Sequence, residues 1–101
     1  MAEPGDQTAP EYAEGWNQRA TTYYEMGDDR RSLQDIAQTL ARQPRHFGAI
    51  SGRALIAIRA RDPQTAIDNI EAAQRIHPFV GLARMLPMLR GIRNRIDGQP
   101  V

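Results

Sequence analysis

The sequence contains no cysteine and no lysine, and only 6% of its residues are aromatic. The lack of cysteine excludes disulfides, thiolate metal ligands and a cysteine nucleophile. It suits the cytoplasm and the periplasm equally, so the compartment stays open between the two. Valine occurs only at positions 80 and 101. So few valines and aromatic residues disfavour a β-sandwich, whereas the abundant Ala, Arg, Gln and Leu favour helices.

Long apolar runs are also missing. No stretch approaches the roughly 20 apolar residues that a membrane-spanning helix needs. The first ten residues are polar and acidic and do not resemble a signal peptide. We therefore expect no membrane insertion.

Charge is unevenly distributed along the chain, although the net charge is only +1. Residues 1–35 contain eight acidic residues and three arginines, and residues 36–101 contain four acidic residues and ten arginines. Such an asymmetry can steer a charged partner or draw like chains together end to end.

A period of 34 residues organises the sequence, because Pro10, Pro44 and Pro78 are spaced by that distance. A shift of the chain by one period also superposes apolar or small residues on one another. The matched pairs include Trp16 with Ile50, Ala20 with Ala54, Ser32 with Ala66, and Ile36 with Ile70. A period of this length is typical of helical-hairpin repeats.

Each period splits into two predicted helices. The spacing of apolar residues predicts helices over about 12–26 and 30–43, two more around 47–58 and 63–77, and a fifth over about 80–96. In Gly27-Asp28-Asp29 the glycine suits a left-handed C-terminal cap and an aspartate can cap the next helix, and Asp62 suits the same role ahead of Pro63. Pro87 removes a backbone donor, so we expect a kink or a break there.

The core is expected on the apolar stripes of these helices. We predict that Trp16, Tyr23, Ile36, Ile50 and Ile70 are buried. In the second helix we expect one apolar face, made of Leu33, Ile36, Ala37 and Leu40.

These residues resemble a tetratricopeptide repeat. The first unit carries the resemblance in Trp16-x-x-Arg19-Ala20-x-x-Tyr23-Tyr24-x-x-Gly27-Asp28, then Ser32, Ile36, Leu40 and Pro44. The second is similar at Ala54, Ala66, Ile70, Ala73 and Pro78. It departs from the family at Ala57 and Arg61, where a large residue and a glycine are usual. The stretch 10–17 is similar to bacterial members.

The resemblance implies an all-α fold, a short right-handed α-solenoid of two antiparallel helix-turn-helix repeats and a C-terminal capping helix. The expected organisation is a flexible tail at 1–9, a domain at 10–97 and a tail at 98–101. Within the domain, repeat one takes 10–43, repeat two 44–77 and the capping helix 78–97.

The function that the resemblance implies is protein–protein interaction, as a scaffold or adaptor that binds a peptide or helix of a partner in a concave groove. The first helix of each pair lines that groove. Its candidate residues are Glu14, Asn17, Thr21, Tyr24, Gly48, Ser51, Gly52, Leu55, Ile58 and Arg59.

Two other functions remain open. The apolar arc of the fifth helix is wider than one neighbouring helix pair needs, which suggests a homodimer. Its candidate contacts are Met85, Met88, Leu89, Ile92 and Ile96. Nucleic-acid binding through the arginines is the remote alternative, since they are scattered and no aromatic platform lies between them.

Neither catalysis nor a cofactor is expected. The sequence has no glycine-rich phosphate loop and no paired carboxylates in an apolar setting. His46 and His77 flank turn prolines on separate loops, without carboxylates at ligand spacing. We therefore expect exposed turn histidines and no metal site.

Overall fold

A computed structural model describes residues 9–98, and every regular element in that range is helical. The α-helices are α1 (Ala13–Glu25), α2 (Asp29–Arg42), α3 (Phe47–Arg59), α4 (Pro63–Ile76) and α5 (Leu86–Ile96). Short 3₁₀ helices cover Pro10–Tyr12 and Gly81–Met85. The all-α class and the five helices are thus confirmed. The predicted tails lie almost wholly outside the described residues.

The chain divides into two compact units, Met1–Ala49 and Ile50–Val101. In the first unit α1 packs against α2. In the second unit the remainder of α3, α4 and α5 share one core. No helix between residues 9 and 98 is long and apolar enough to cross a membrane.

Each hairpin makes its turn in the same way. The amide of Asp28 donates to the carbonyl of Tyr23 at 2.8 Å, and the amide of Asp62 donates to that of Ala57 at 2.9 Å. These bonds require a left-handed residue just before the Asp, which is Gly27 at φ 81° in the first turn and Arg61 at φ 61° in the second. A residue with a side chain adopts this conformation at a cost of about 1–2 kcal/mol. Arg61 therefore preserves the geometry of the turn but makes it less stable than a glycine would.

The next helix of each hairpin then begins at an aspartate cap. Asp28 Oδ1 accepts from the amide of Arg31 at 3.1 Å, and Asp62 Oδ1 accepts from the amide of Thr65 at 3.2 Å. Capping by aspartate is therefore confirmed at both helices, and in the first hairpin the capping residue is Asp28, with Asp29 as the first helical residue. Each satisfies one of the amides that a helix N-terminus leaves without an intrahelical partner.

The segment after α4 is interrupted, as expected, but ahead of Pro87 rather than at it. The 3₁₀ helix Gly81–Met85 gives way to α5 at Leu86. Pro87 then lies in the first turn of α5, where its missing amide hydrogen removes no helical bond.

The buried face of α2 differs from the apolar face that the sequence suggested. Ile36 is buried, but Leu33 and Ala37 are exposed and Leu40 is only partly buried. The residues that join Ile36 on the inner face are polar: Ser32, Asp35 and Thr39. The prediction failed because it counted apolar side chains alone, whereas small or well-paired polar groups also fit a close helix–helix contact.

Hydrogen bonds satisfy these buried polar groups. Ser32 Oγ donates to the carbonyl of Ala20 at 2.7 Å, which ties α2 to α1. Thr39 Oγ1 donates to the carbonyl of Asp35 within α2 at 2.9 Å. Asp35 itself receives two bonds from Arg19 of α1, from Nε to Oδ2 at 2.7 Å and from Nη2 to Oδ1 at 3.0 Å.

The pair of Arg19 and Asp35 has a counterpart one period later. Arg53 Nε donates to Asn69 Oδ1 at 2.8 Å, with the same separation along the chain. The first pair is ionic, and its hydrogen bonds and the charge of Asp35 raise the pKa of Arg19 above its ordinary value. The second pair keeps the hydrogen bond without a charge on its acceptor.

Two of the predicted core aromatics are only partly buried. Trp16 and Tyr23 lie beside arginine side chains instead of deep in the core. The guanidinium of Arg42 is 5.0 Å from the centre of the Trp16 ring, and that of Arg19 is 5.4 Å from it. Cation–π contacts of this kind cover aromatic faces without excluding all water. Ile36, Ile50 and Ile70 are buried as predicted.

The inner ion pair of the first hairpin gives a test of the fold. The Asp35 side chain is 4% exposed and that of Arg19 is 58% exposed. Arg19→Met leaves the buried carboxylate unpaired, and with screening at Arg19 we expect a loss of about 2 kcal/mol, below the range for fully buried pairs. Asp35→Asn recreates the pair of the second hairpin and is expected to cost about 1 kcal/mol.

Urea unfolding followed by circular dichroism measures both variants. Equal losses for Arg19→Met and Asp35→Asn would contradict a role for the unpaired charge.

Candidate functional site

A groove of about 510 Å³ lies within the second unit, between the end of α3, the start of α4 and α5. Its walls are largely apolar. The lining residues are Ile58, Arg59, Arg61, Asp62, Pro63, Met88, Leu89, Ile92 and Ile96.

The helical period of α5 builds one wall of this groove. Met88, Ile92 and Ile96 are four residues apart, so they lie above one another on one face of the helix. Met88 is 51% exposed and Ile96 65% exposed. Leu89, at 4% exposed, instead packs into the core cluster with Leu86. The groove therefore has an anchored floor and an exposed apolar wall.

Arginines supply most of the charge along the groove. Arg59 and Arg61 line it at the end of α3. Asp62 is the acidic lining residue, and its Oδ1 is engaged by the Thr65 amide as the cap of α4. Two guanidinium groups and one carboxylate therefore lie along the groove, and their charges sum to +1.

In the first unit, three of the predicted groove residues make contacts within that unit, namely Asn17, Thr21 and Gly48. A Cβ at Gly48 would lie 3.1 Å from Asn17 Nδ2 and 3.2 Å from His46 Cε1. A side chain there would therefore require Asn17 and His46 to shift by a few tenths of an ångström. The Thr21 hydroxyl donates to the carbonyl of Asn17 at 3.0 Å, and Tyr24 is half-buried.

Glu14 and His46 form a polar contact in the same unit, with His46 Nε2 2.8 Å from Glu14 Oε1. The Ala49 amide donates to His46 Nδ1 at 3.1 Å, so the neutral ring carries its proton on Nε2 and donates it to Glu14. The His46 side chain is 13% exposed, so the expectation of an exposed histidine is wrong. It caps the first turn of α3, a role that turn composition alone did not reveal. His77 is exposed as expected.

Of the predicted groove residues in the second unit, some line the groove of that unit and others do not. Ile58 and Arg59 line the groove, whereas Ser51, Gly52 and Leu55 do not. Ser51 Oγ is buried and has no hydrogen-bond partner among residues 9–98. The same range contains no group of three or more His, Asp or Glu residues suited to a metal ion.

Comparison with known proteins gives one informative relative, a TPR repeat-containing protein of Rhizobium etli. It is 44% identical over 69 residues, which make up 68% of this chain and 34% of the relative. No family model matches the chain, and no solved structure matches it significantly. The homology agrees with the two helical hairpins and their 34-residue period.

The chain belongs to the tetratricopeptide-repeat family. It spans about a third of the length of the curated relative that it matches. The family resemblance seen in the sequence is thereby confirmed, and the relative is bacterial.

Residues that were predicted to form two separate surfaces of this tetratricopeptide-repeat chain lie together in the structure. Ile58 and Arg59 were predicted for a concave groove, and Met88, Leu89, Ile92 and Ile96 for self-association. All six line the same cavity. Met85 is partly buried against the core instead. Leu89 is wrong as an exposed contact, because its side chain is buried in the core and forms the floor of the groove.

Met88 and Leu89 offer a matched pair for testing this geometry. Leu89→Glu places a charge in the core, and we expect a loss of more than about 3 kcal/mol in the free energy of unfolding. Met88→Glu adds the same charge one residue earlier on the exposed wall, and we expect a change within about 1 kcal/mol. Urea titration of both variants measures the difference. A similar loss in both would show that α5 is rotated from the described position.

Proposed function

We propose that this chain is a protein–protein interaction module that holds a peptide or helix of a partner in the groove of the second unit. Membership of the tetratricopeptide-repeat family supports interaction with protein in general. The observation that carries the more specific proposal is the apolar wall of α5, exposed at Met88 and Ile96, which lines a groove together with Ile58.

Exposure of this apolar wall to water is unfavourable. Burial of a large aliphatic side chain contributes about 1.5–3 kcal/mol. Met88 and Ile96, which are 51% and 65% exposed, and the partly buried Ile92 each offer a part of that contribution to a partner that covers them. Contiguous apolar surface of this kind usually marks an interaction site.

No catalytic step is part of the proposal. Beyond its apolar walls the groove presents two guanidinium groups and the carboxylate that caps α4. This set can orient and hold a partner through hydrogen bonds and charge. It contains no nucleophile with an adjacent base of the kind that covalent catalysis uses.

Self-association through α5 is a second candidate, which the exposure of Met88 and Ile96 favours. In that case a second copy covers the groove. Sedimentation equilibrium distinguishes the two candidates, since a protomer of 11.3 kDa that remains monomeric at high micromolar concentration contradicts the homodimer.

A peptide selection tests the proposed function directly. A random library of peptides of about 16 residues, long enough for four helical turns, is selected on the full chain. We expect the recovered peptides to bind Ile92→Glu at least about tenfold more weakly than the parent, since one buried isoleucine contributes enough free energy for that change.

The matched control is Leu33→Glu. Leu33 is an exposed leucine on α2 in the first unit and does not line the groove. We expect its substitution to leave peptide binding unchanged, with circular dichroism confirming that both variants are folded. Peptides that bind Ile92→Glu as tightly as the parent chain would refute the groove as the partner site.

A further inference from the structure

We infer that the occupant of the groove is an amphipathic helix that carries acidic side chains beside its apolar stripe. This inference rests on the proposed function and names the chemistry of the partner. Two features of the second unit carry it: the shape of the exposed face of α5 and the charge of the groove edge.

The internal repeat shows what usually covers such a face. Ala20 of α1 and Ala54 of α3 occupy equivalent positions and are buried. In the first hairpin α2 covers this position, since Ser32 Oγ bonds the Ala20 carbonyl. Met88 of α5 is the next equivalent position, 34 residues after Ala54, and it is half exposed. A helix is therefore the element that the repeat geometry places against this face.

The side chains on α5 also form a ridge suited to a helix. Met88, Ile92 and Ile96 span nine residues, and the eight steps between the first and the last give a length of about 12 Å at 1.5 Å per residue. Ridges of residues four apart pack into the grooves of a neighbouring helix. Ile58 of α3 also lines the groove, and Leu89 is the buried residue at its floor. An apolar stripe of two to three turns on the partner matches these dimensions.

The charge of the groove edge selects acidic side chains on the partner. Arg61 is exposed and lines the edge beside Arg59 and Asp62, so the three lining charges sum to +1. Residues 50–98 as a whole contain eight arginines and four acidic residues. Glutamate or aspartate beside the apolar stripe would meet this positive edge and form charge-assisted hydrogen bonds with guanidinium groups.

The test uses the peptides recovered by selection on the full chain. We expect them to be net acidic, with apolar residues recurring at intervals of three and four. Each is then synthesised again with every Glu and Asp replaced by Gln and Asn. We expect the amide versions to bind about tenfold more weakly at low salt, and the difference to shrink as salt screens the charges.

Arg61→Gly supplies the matching change on the protein. Glycine adopts the left-handed backbone of this position without strain, so the variant loses a charge and keeps its turn. We expect it to weaken the acidic peptides several-fold and to leave their amide versions unaffected. The control is Arg75→Gln, which removes an exposed arginine of α4 that does not line the groove.

The outcomes separate this inference from the function on which it rests. Peptides that bind independently of Ile92 overturn both. Peptides that require Ile92 but bind equally well as amides retain the groove and overturn the acidic partner. Peptides that require Ile92 and tolerate proline throughout their centre overturn the helical form, because proline in a helix interior breaks it.

Discussion

The carboxylate of Asp35 lies between two helices with little access to water, and the first hairpin depends on Arg19 to pair with it. An unpaired charge in that position is far more costly than a paired one. The two parallel hydrogen bonds also fix geometry, since a guanidinium and a carboxylate align in only a few ways. The pair therefore sets how α1 and α2 approach each other, and the small inner residues of both helices fit that approach.

The second hairpin has an equivalent hydrogen bond between its two helices, but the acceptor is neutral. Arg53 bonds the amide oxygen of Asn69, and the Asn69 amide group donates to the Thr65 carbonyl. Around this link the inner face becomes more apolar, since Ala66 and Ala73 replace Ser32 and Thr39. The resulting core receives Leu86 and Leu89 of α5. Because Leu86 and Leu89 fix α5 in this core, Met88, Ile92 and Ile96 are held at the groove wall. The site therefore depends on how α3 and α4 pack against each other.

Local signals account for what could be predicted from the sequence. Gly27, Asp28 and Asp62 define turns and caps through their own backbone and side-chain chemistry, which needs no knowledge of distant residues. The 34-residue period likewise gave the number and order of the helices. Asp35 could not be predicted as buried, because its burial depends on Arg19, a partner sixteen residues away on another helix.

The groove was predicted only in parts, for the same reason. Ile58 and Arg59 were assigned to one surface and the α5 residues to another, since nothing in their spacing shows that they face one cavity. Met88 and Leu89 are adjacent, and about 100° of helical rotation separates them. Both suit an apolar stripe, so only the position of the core distinguishes the exposed side chain from the buried one. His46 escaped prediction because histidine is not a usual helix cap.

The central claim is that a partner occupies the groove of the second unit. Methyl NMR of the full chain during titration with a peptide selected on it tests this most directly, because isoleucines are present in both units. The account predicts the largest shift changes at Ile58, Ile92 and Ile96, with Ile36 of the first unit unchanged. Shift changes concentrated at Met26 and Leu33 of the first unit, with Ile58, Ile92 and Ile96 unmoved, would contradict it.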